Sequence, residues 1–171
     1  VADSSTGAVA FARAFPGTPV VLSQAASAVD SGAVVTRQQG IGAGGFVLSL
    51  QSQESSRTHG SEVVGWLAVE PGTRTNGAWV IRAAATPDAV THCWYPVSFG
   101  SAFTSAPVVV AALQTQDDAD PATLRHRNLA AGSVEVKVEE EQSQDDEMTH
   151  GTEAVGYLAL SSAGILPGSD G

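Results

Sequence analysis

Cysteine and lysine occur once each in these 171 residues, as Cys93 and Lys137, and aromatic residues make up only 6% of the chain. A lone cysteine closes no disulfide within the chain and excludes a redox pair or a cysteine-rich zinc site; it reads as a small buried apolar residue. With 8 basic residues against 18 acidic ones the formal net charge is −10, so nucleic acid, which needs a basic surface, is excluded as a partner. An acidic excess with scarce lysine suits a salty or calcium-rich exterior, and equally keeps any ordinary surface soluble. No run of about 18 apolar residues occurs, so no membrane span is expected. The chain begins at Val1 without a methionine, as a processed secreted protein or a domain cut from a larger one would. Nucleophile elbow, Walker loop and His-Glu-x-x-His helix are all missing, and a binding role is expected rather than an enzyme.

What is abundant is the vocabulary of strands and turns. Only 15% of residues are charged, while Gly, Ser, Thr, Ala and Val dominate, which predicts an all-β fold.

The strongest signal is internal. Phe11, Phe15, Pro19, Val20 and Val21 recur 88 positions later as Phe99, Phe103, Pro107, Val108 and Val109, and the same offset pairs Asp30 with Asp118 and Arg37 with Arg125. After three extra residues in the second copy, H-G-S-E-V-V-G-W-L-A (59–68) meets H-G-T-E-A-V-G-Y-L-A (150–159), with seven of ten positions identical. A period near 90 residues is too long for a solenoid unit and long enough for a small sandwich. The expected fold is two tandem antiparallel β-sandwiches of about six strands each, over residues 1–72 and 73–163, followed by a Gly/Ser-rich tail at 164–171.

Alternation supports the strands. Phe46, Leu48 and Leu50 face one way; in the second copy Val134, Val136 and Val138 form an inner face, and Glu135, Lys137, Glu139 and Glu141 a solvated outer one. The closing strand, V-V-G-W-L-A-V-E, is apolar on both sides and asks for cover on both, which places it at a junction between copies or subunits. The connecting segment holds an Asn-Gly turn and then Trp79, Val80 and Ile81, so it supplies the first strand of copy two, with residues 1–10 a shorter counterpart in copy one.

The pattern F-x3-F-x3-P-V-V, an Asp, an Arg nine residues before a Gly-Phe strand, and a closing G-W-L-A-V-E resembles the H-type lectin module. The match runs through Phe11, Phe15, Pro19, Val20, Val21, Arg37, Gly45, Phe46, Trp66 and Glu70. It is weaker through Phe99, Phe103, Pro107, Arg125 and Tyr157. The resemblance implies a six-stranded sandwich that assembles through its strands and binds N-acetylgalactosamine-type sugars between protomers. The family's sugar-contacting arginine falls on Ala33 and Pro121 here.

The polar residues retained in both copies are the candidates for a ligand site. His59 with Glu62, and His150 with Glu153, either bind sugar hydroxyls or anchor loops, with Glu62 pairing with Arg37 and Glu153 with Arg125. In an extended strand, residues three apart point to opposite faces, which argues against one ion shared by the histidine and the glutamate. Trp66, Trp94, Tyr95 and Tyr157 supply rings on which a pyranose stacks. Asp117, Asp118 and Asp120 gather carboxylates in one loop, a candidate calcium site, although a solvated acidic turn is the simpler expectation. Residues 139–147 read as a charged hairpin tip. The expected function is an extracellular or cell-surface carbohydrate-binding module whose partner is a glycan or polysaccharide. The alternative is a structural subunit of an extracellular filament or adhesive assembly, associating with itself or with neighbouring domains of a larger precursor.

Overall fold

In the computed structural model the described residues are 6–56, 59–77 and 79–161. The expected tail at 164–171 lies outside them. Copy one folds into β1 (Gly7–Ala10), β2 (Val20–Ala25), β3 (Val34–Gly42), β4 (Gly45–Ser52) and β5 (Val64–Val69). The connector forms β6 (Gly72–Asn76) and β7 (Trp79–Ala85). Copy two contributes β8 (Tyr95–Ser98), β9 (Val108–Leu113), β10 (Ala122–Arg127), β11 (Ser133–Glu140) and β12 (Val155–Leu160). The fold is all-β, and every strand pairing is antiparallel.

The offset seen in sequence is the offset of the strands. β1, β2, β3 and β4 reappear as β8, β9, β10 and β11, and β5 as β12. Each copy lays a three-stranded sheet (β1-β4-β3 or β8-β11-β10) against a second sheet holding the closing strand. The alternation in β11 puts Val134, Val136 and Val138 inside at 4% exposure or less. They pack with Phe99, Leu113, Val155 and Tyr157 in the main apolar core. Ala43 and Gly44 make the β3–β4 turn, and Gly40, at φ 59° where the β3–β4 register shifts, adopts a conformation that costs glycine no strain. Copy one builds its aromatic cluster from Phe11, Phe15, Phe46 and Trp66, and copy two repeats it with Phe99, Phe103 and Tyr157.

The copies differ at one edge. In copy two the closing strand β12 sits between β7 and β9 in a four-stranded sheet, β6-β7-β12-β9. In copy one the closing strand β5 pairs, among the described residues, with β2 alone. The connector therefore supplies the first strand of copy two, as its Trp-Val-Ile run predicts. The expected counterpart at residues 1–10 is different, because β1 matches β8 and no described strand of copy one matches β7. The cost is visible in burial: Tyr157 is 4% exposed, whereas its equivalent Trp66 is 44% exposed, with Leu67 and Val63 open beside it. Among the described residues, the two-sided apolar pattern thus finds its cover in copy two only.

A glycine decides how the copies meet. Gly156 in β12 has no side chain, and a Cβ there would lie 2.5 Å from Cδ of Gln114. Gln114 fills that space and grips the backbone of Val21 in copy one, its Oε1 accepting the N–H at 2.9 Å and its Nε2 donating to the carbonyl at 2.8 Å. One side chain thereby stands in for a neighbouring strand. Gly65, the equivalent in copy one, meets nothing within 4 Å.

Candidate functional site: the charged junction between the copies

Arg37 sits in mid β3 opposite Ser49 of β4, and its side chain crosses to copy two instead of turning to solvent. One terminal nitrogen, Nη2, donates to Glu153 Oε1 at 2.5 Å and to the Thr115 carbonyl at 3.3 Å; the other, Nη1, donates to Gln51 Oε1 at 3.1 Å. Gln38 and Gln51 reinforce the seam by donating to the carbonyls of Leu113 and Ala119 at 2.6 and 2.7 Å. Arg37 is 1% exposed and Glu153 0%. Burial pulls the guanidinium below its ordinary value, opposed by the charge and hydrogen bond of Glu153. Burial likewise works against the charge on Glu153, but hydrogen bonds from His150 and Thr115 and the charge of Arg37 hold it below the ordinary carboxylate value.

This pairing corrects the expected one. Glu62 does not pair with Arg37. It accepts the Ser27 hydroxyl and the N–H groups of Val29 and Asp30, the latter two at 2.9 Å. Arg125 pairs with Glu139 on the surface, not with Glu153. The contact between copies is therefore heterologous: the β3–β4 face of copy one meets the 113–120 loop and Glu153 of copy two. A twofold would have repeated the contact in reverse.

The H-G-x-E block proves to be a loop fastener in both copies. Asp30 accepts the N–H of Gly60 at 2.8 Å and that of Gly32 at 2.9 Å, and Asp118 accepts the N–H of Gly151 at 2.8 Å. His59 lies between two carbonyl oxygens, Nδ1 at 2.8 Å from Gly60 and Nε2 at 2.9 Å from Gly32. Carbonyl oxygens only accept, so this setting favours a ring that donates from both nitrogens, the imidazolium form. The Gly60 contact is the main cause that raises the His59 pKa, with Gly32, Asp30 and Glu62 adding to it against burial. A raised folded-state value means that the stabilisation is complete below the unfolded value near 6.5 and is lost as pH climbs through the folded one. Accordingly, amide exchange at Gly32 and Gly60 is expected to quicken as pH rises above about 6.5 beyond the intrinsic rate. In His59→Gln that extra pH dependence should vanish; its persistence would show that another group controls the loop.

His150 is held differently, between carboxylates: Nδ1 lies 2.9 Å from Glu140 Oε1 and Nε2 3.3 Å from Glu153 Oε1. The expectation that residues three apart diverge fails here because residues 150–152 are not strand and Glu153 makes only an isolated bridge with Val90. Glu140 was not among the residues expected to matter, since it falls in a stretch that reads as a charged tip. Its signal was the alternation: it continues the inward row Val134-Val136-Val138, and its side chain is 2% exposed.

The remaining candidates scatter. Trp94 lies under Arg127, with Cζ 4.3 Å from the ring centroid, and Lys137 approaches to 5.6 Å. Tyr95 pairs with Val136 in the β8–β11 ladder. Tyr157 is buried and its hydroxyl accepts from Arg82 at 3.1 Å. Asp120 donates its N–H to Asp118 at 3.4 Å, and Asp117 donates its own to Glu153 at 3.3 Å. Cys93 is exposed, not buried, because it lies in the turn before β8. A groove of about 360 Å³, lined by His92, Arg125, Lys137, Gln142 and Met148 among others, opens on copy two.

No family model matches this chain, and no solved structure matches it significantly. Over 156 residues, 89% of its length, it is 28% identical to part of Halomucin from Haloquadratum walsbyi. It spans 2% of that relative.

Proposed function

We propose that this chain is a paired repeat unit of a very long extracellular or cell-surface protein, built to interlock with further strands and not to catalyse a reaction. The observation that carries the reading is the unequal cover of the two closing strands. β12 receives β7 from the connector, and among the described residues β5 presents the same edge without a partner strand, with Trp66 and Leu67 exposed beside it. An open strand edge beside an apolar patch is a template for strand addition. The likeness to a small part of a far longer protein whose name marks a halophile's mucin supports a repeat in a surface layer. The net charge of −10 suits a salty exterior.

The carbohydrate reading has less behind it. Arg37, His150, Glu153 and Tyr157 are buried, so a sugar would have to use other residues, such as the exposed Trp66, the cleft between the copies that Val35 and Arg125 line, or the copy-two groove beside Arg125 and Lys137.

The free edge has a definite register. Val21 turns its N–H and carbonyl to Gln114, so Ala68, its partner across the antiparallel pair, points its own outward. Concentration-dependent association is expected in sedimentation experiments at high salt. Ala68→Pro removes the outward N–H without breaking a β2–β5 bond, and should leave a folded monomer. A wild-type chain that stays monomeric at high concentration, with and without calcium, would overturn the assembly reading.

A further inference from the structure

Beneath the junction, copy two gathers Asp118, Glu140 and His150 so that one ligand atom from each lies within 4.8 Å of the others. They come from three separate segments: the loop after β9, the end of β11 and the loop before β12. Clustered carboxylates alone prove nothing, but one atom here has no role in the fold. Glu140 Oε2 is buried and has no hydrogen-bond partner, on a side chain 2% exposed. An unpaired carboxylate oxygen in such a place is costly unless a cation meets it.

Copy one provides an internal contrast, since Asp30 and His59 recur there but Ser52 stands at the position of Glu140. His59 accordingly turns to carbonyl oxygens, whereas His150 turns to carboxylates.

The geometry points to a divalent-cation site at Asp118, Glu140 and His150, with a preference for zinc or manganese over calcium. One imidazole nitrogen with two carboxylates is a ligand set for borderline transition ions, while calcium gathers six to eight oxygens. Asp118 is the one residue shared with the expected calcium loop. Glu140 and His150 replace Asp117 and Asp120 because the end of β11 and the loop before β12 both come to Asp118, which the 117–120 sequence alone does not show.

Chain stripped with a chelator and titrated with Mn²⁺, followed by loss of the free-ion paramagnetic resonance signal, should bind one ion. Calorimetry with Zn²⁺ should give the same stoichiometry, with Ca²⁺ weaker than both. Zn²⁺ should also shift the side-chain nitrogen resonances of His150 and leave those of His59 in place. Glu140→Ser, which installs the residue that copy one carries, should weaken binding by about 100-fold or more, since loss of even an outer-shell partner costs 10–100-fold. Asp118→Asn should act likewise, and decides the matter if Glu140→Ser fails to fold by circular dichroism. Asp30→Asn should leave binding unchanged. No saturable binding of Mn²⁺ or Zn²⁺ below millimolar, undiminished binding in the folded variants, or tighter binding of Ca²⁺ would each overturn the site.

Discussion

Replacing Arg37 with alanine is expected to destabilise the protein by about 3–5 kcal/mol, the usual cost of leaving one half of a buried ion pair behind. Glu153 would keep its buried charge and lose its arginine partner, while Gln51 and the Thr115 carbonyl would lose a donor. The loss falls on the seam between the copies, so the form of unfolding should change as well as its midpoint. Wild-type chain should melt in one calorimetric transition; Arg37→Ala should show two, copy one first, because its core is smaller and its β5 edge is open. Arg125→Ala is the control. That arginine occupies the equivalent position, yet it is 61% exposed in its pair with Glu139, and exposed pairs contribute about 0–1 kcal/mol. Equal effects of the two substitutions would show that Arg37 is not the fastening described.

Gln114→Ala should cost about 1–3 kcal/mol, the usual cost of one buried unsatisfied group. It would strip the N–H of Val21 of its partner and leave its carbonyl only the bond from Gln38 Nε2 at 3.3 Å, where Val21 is 0% exposed. The urea midpoint should fall, and the Val21 amide should lose protection before its neighbours in β2. Gly156→Ala tests the same contact from behind, since its Cβ would collide with the amide of Gln114. If Gly156→Ala is neutral while Gln114→Ala is costly, the amide has room to move and the glycine is not the determinant.

Much of the fold was legible because it is local and periodic. The offset of 88 residues located equivalent strands, and the Val134-Val136-Val138 row located an inner face. The connector's Trp79-Val80-Ile81 announced a strand. The junction was not legible, and the reason is instructive. A duplication tells which residues are equivalent, and equivalence suggests that each copy pairs its own arginine with its own glutamate. Docking geometry is set by three-dimensional shape, here by the space above Gly156 and the reach of Gln114, and it carries Arg37 across to Glu153. Glu140 was missed for a different reason. A run of acidic letters reads as solvated surface, and only counting the strand's alternation two residues past Val138 places a carboxylate inside. Cys93 shows the opposite error: a residue type that is usually buried lies in a turn, where the chain exposes it.

The sheet order β6-β7-β12 also determines how copy two would respond to tension. β6 and β12 both run antiparallel to β7, so the chain enters this sheet at Gly72 and leaves it at Leu160, at opposite ends. A pull on the two flanking segments loads the β6–β7 and β7–β12 bonds side by side in shear, instead of one after another as a zipper. Such a unit would hold its length under small forces and yield only when the whole ladder gives way at once.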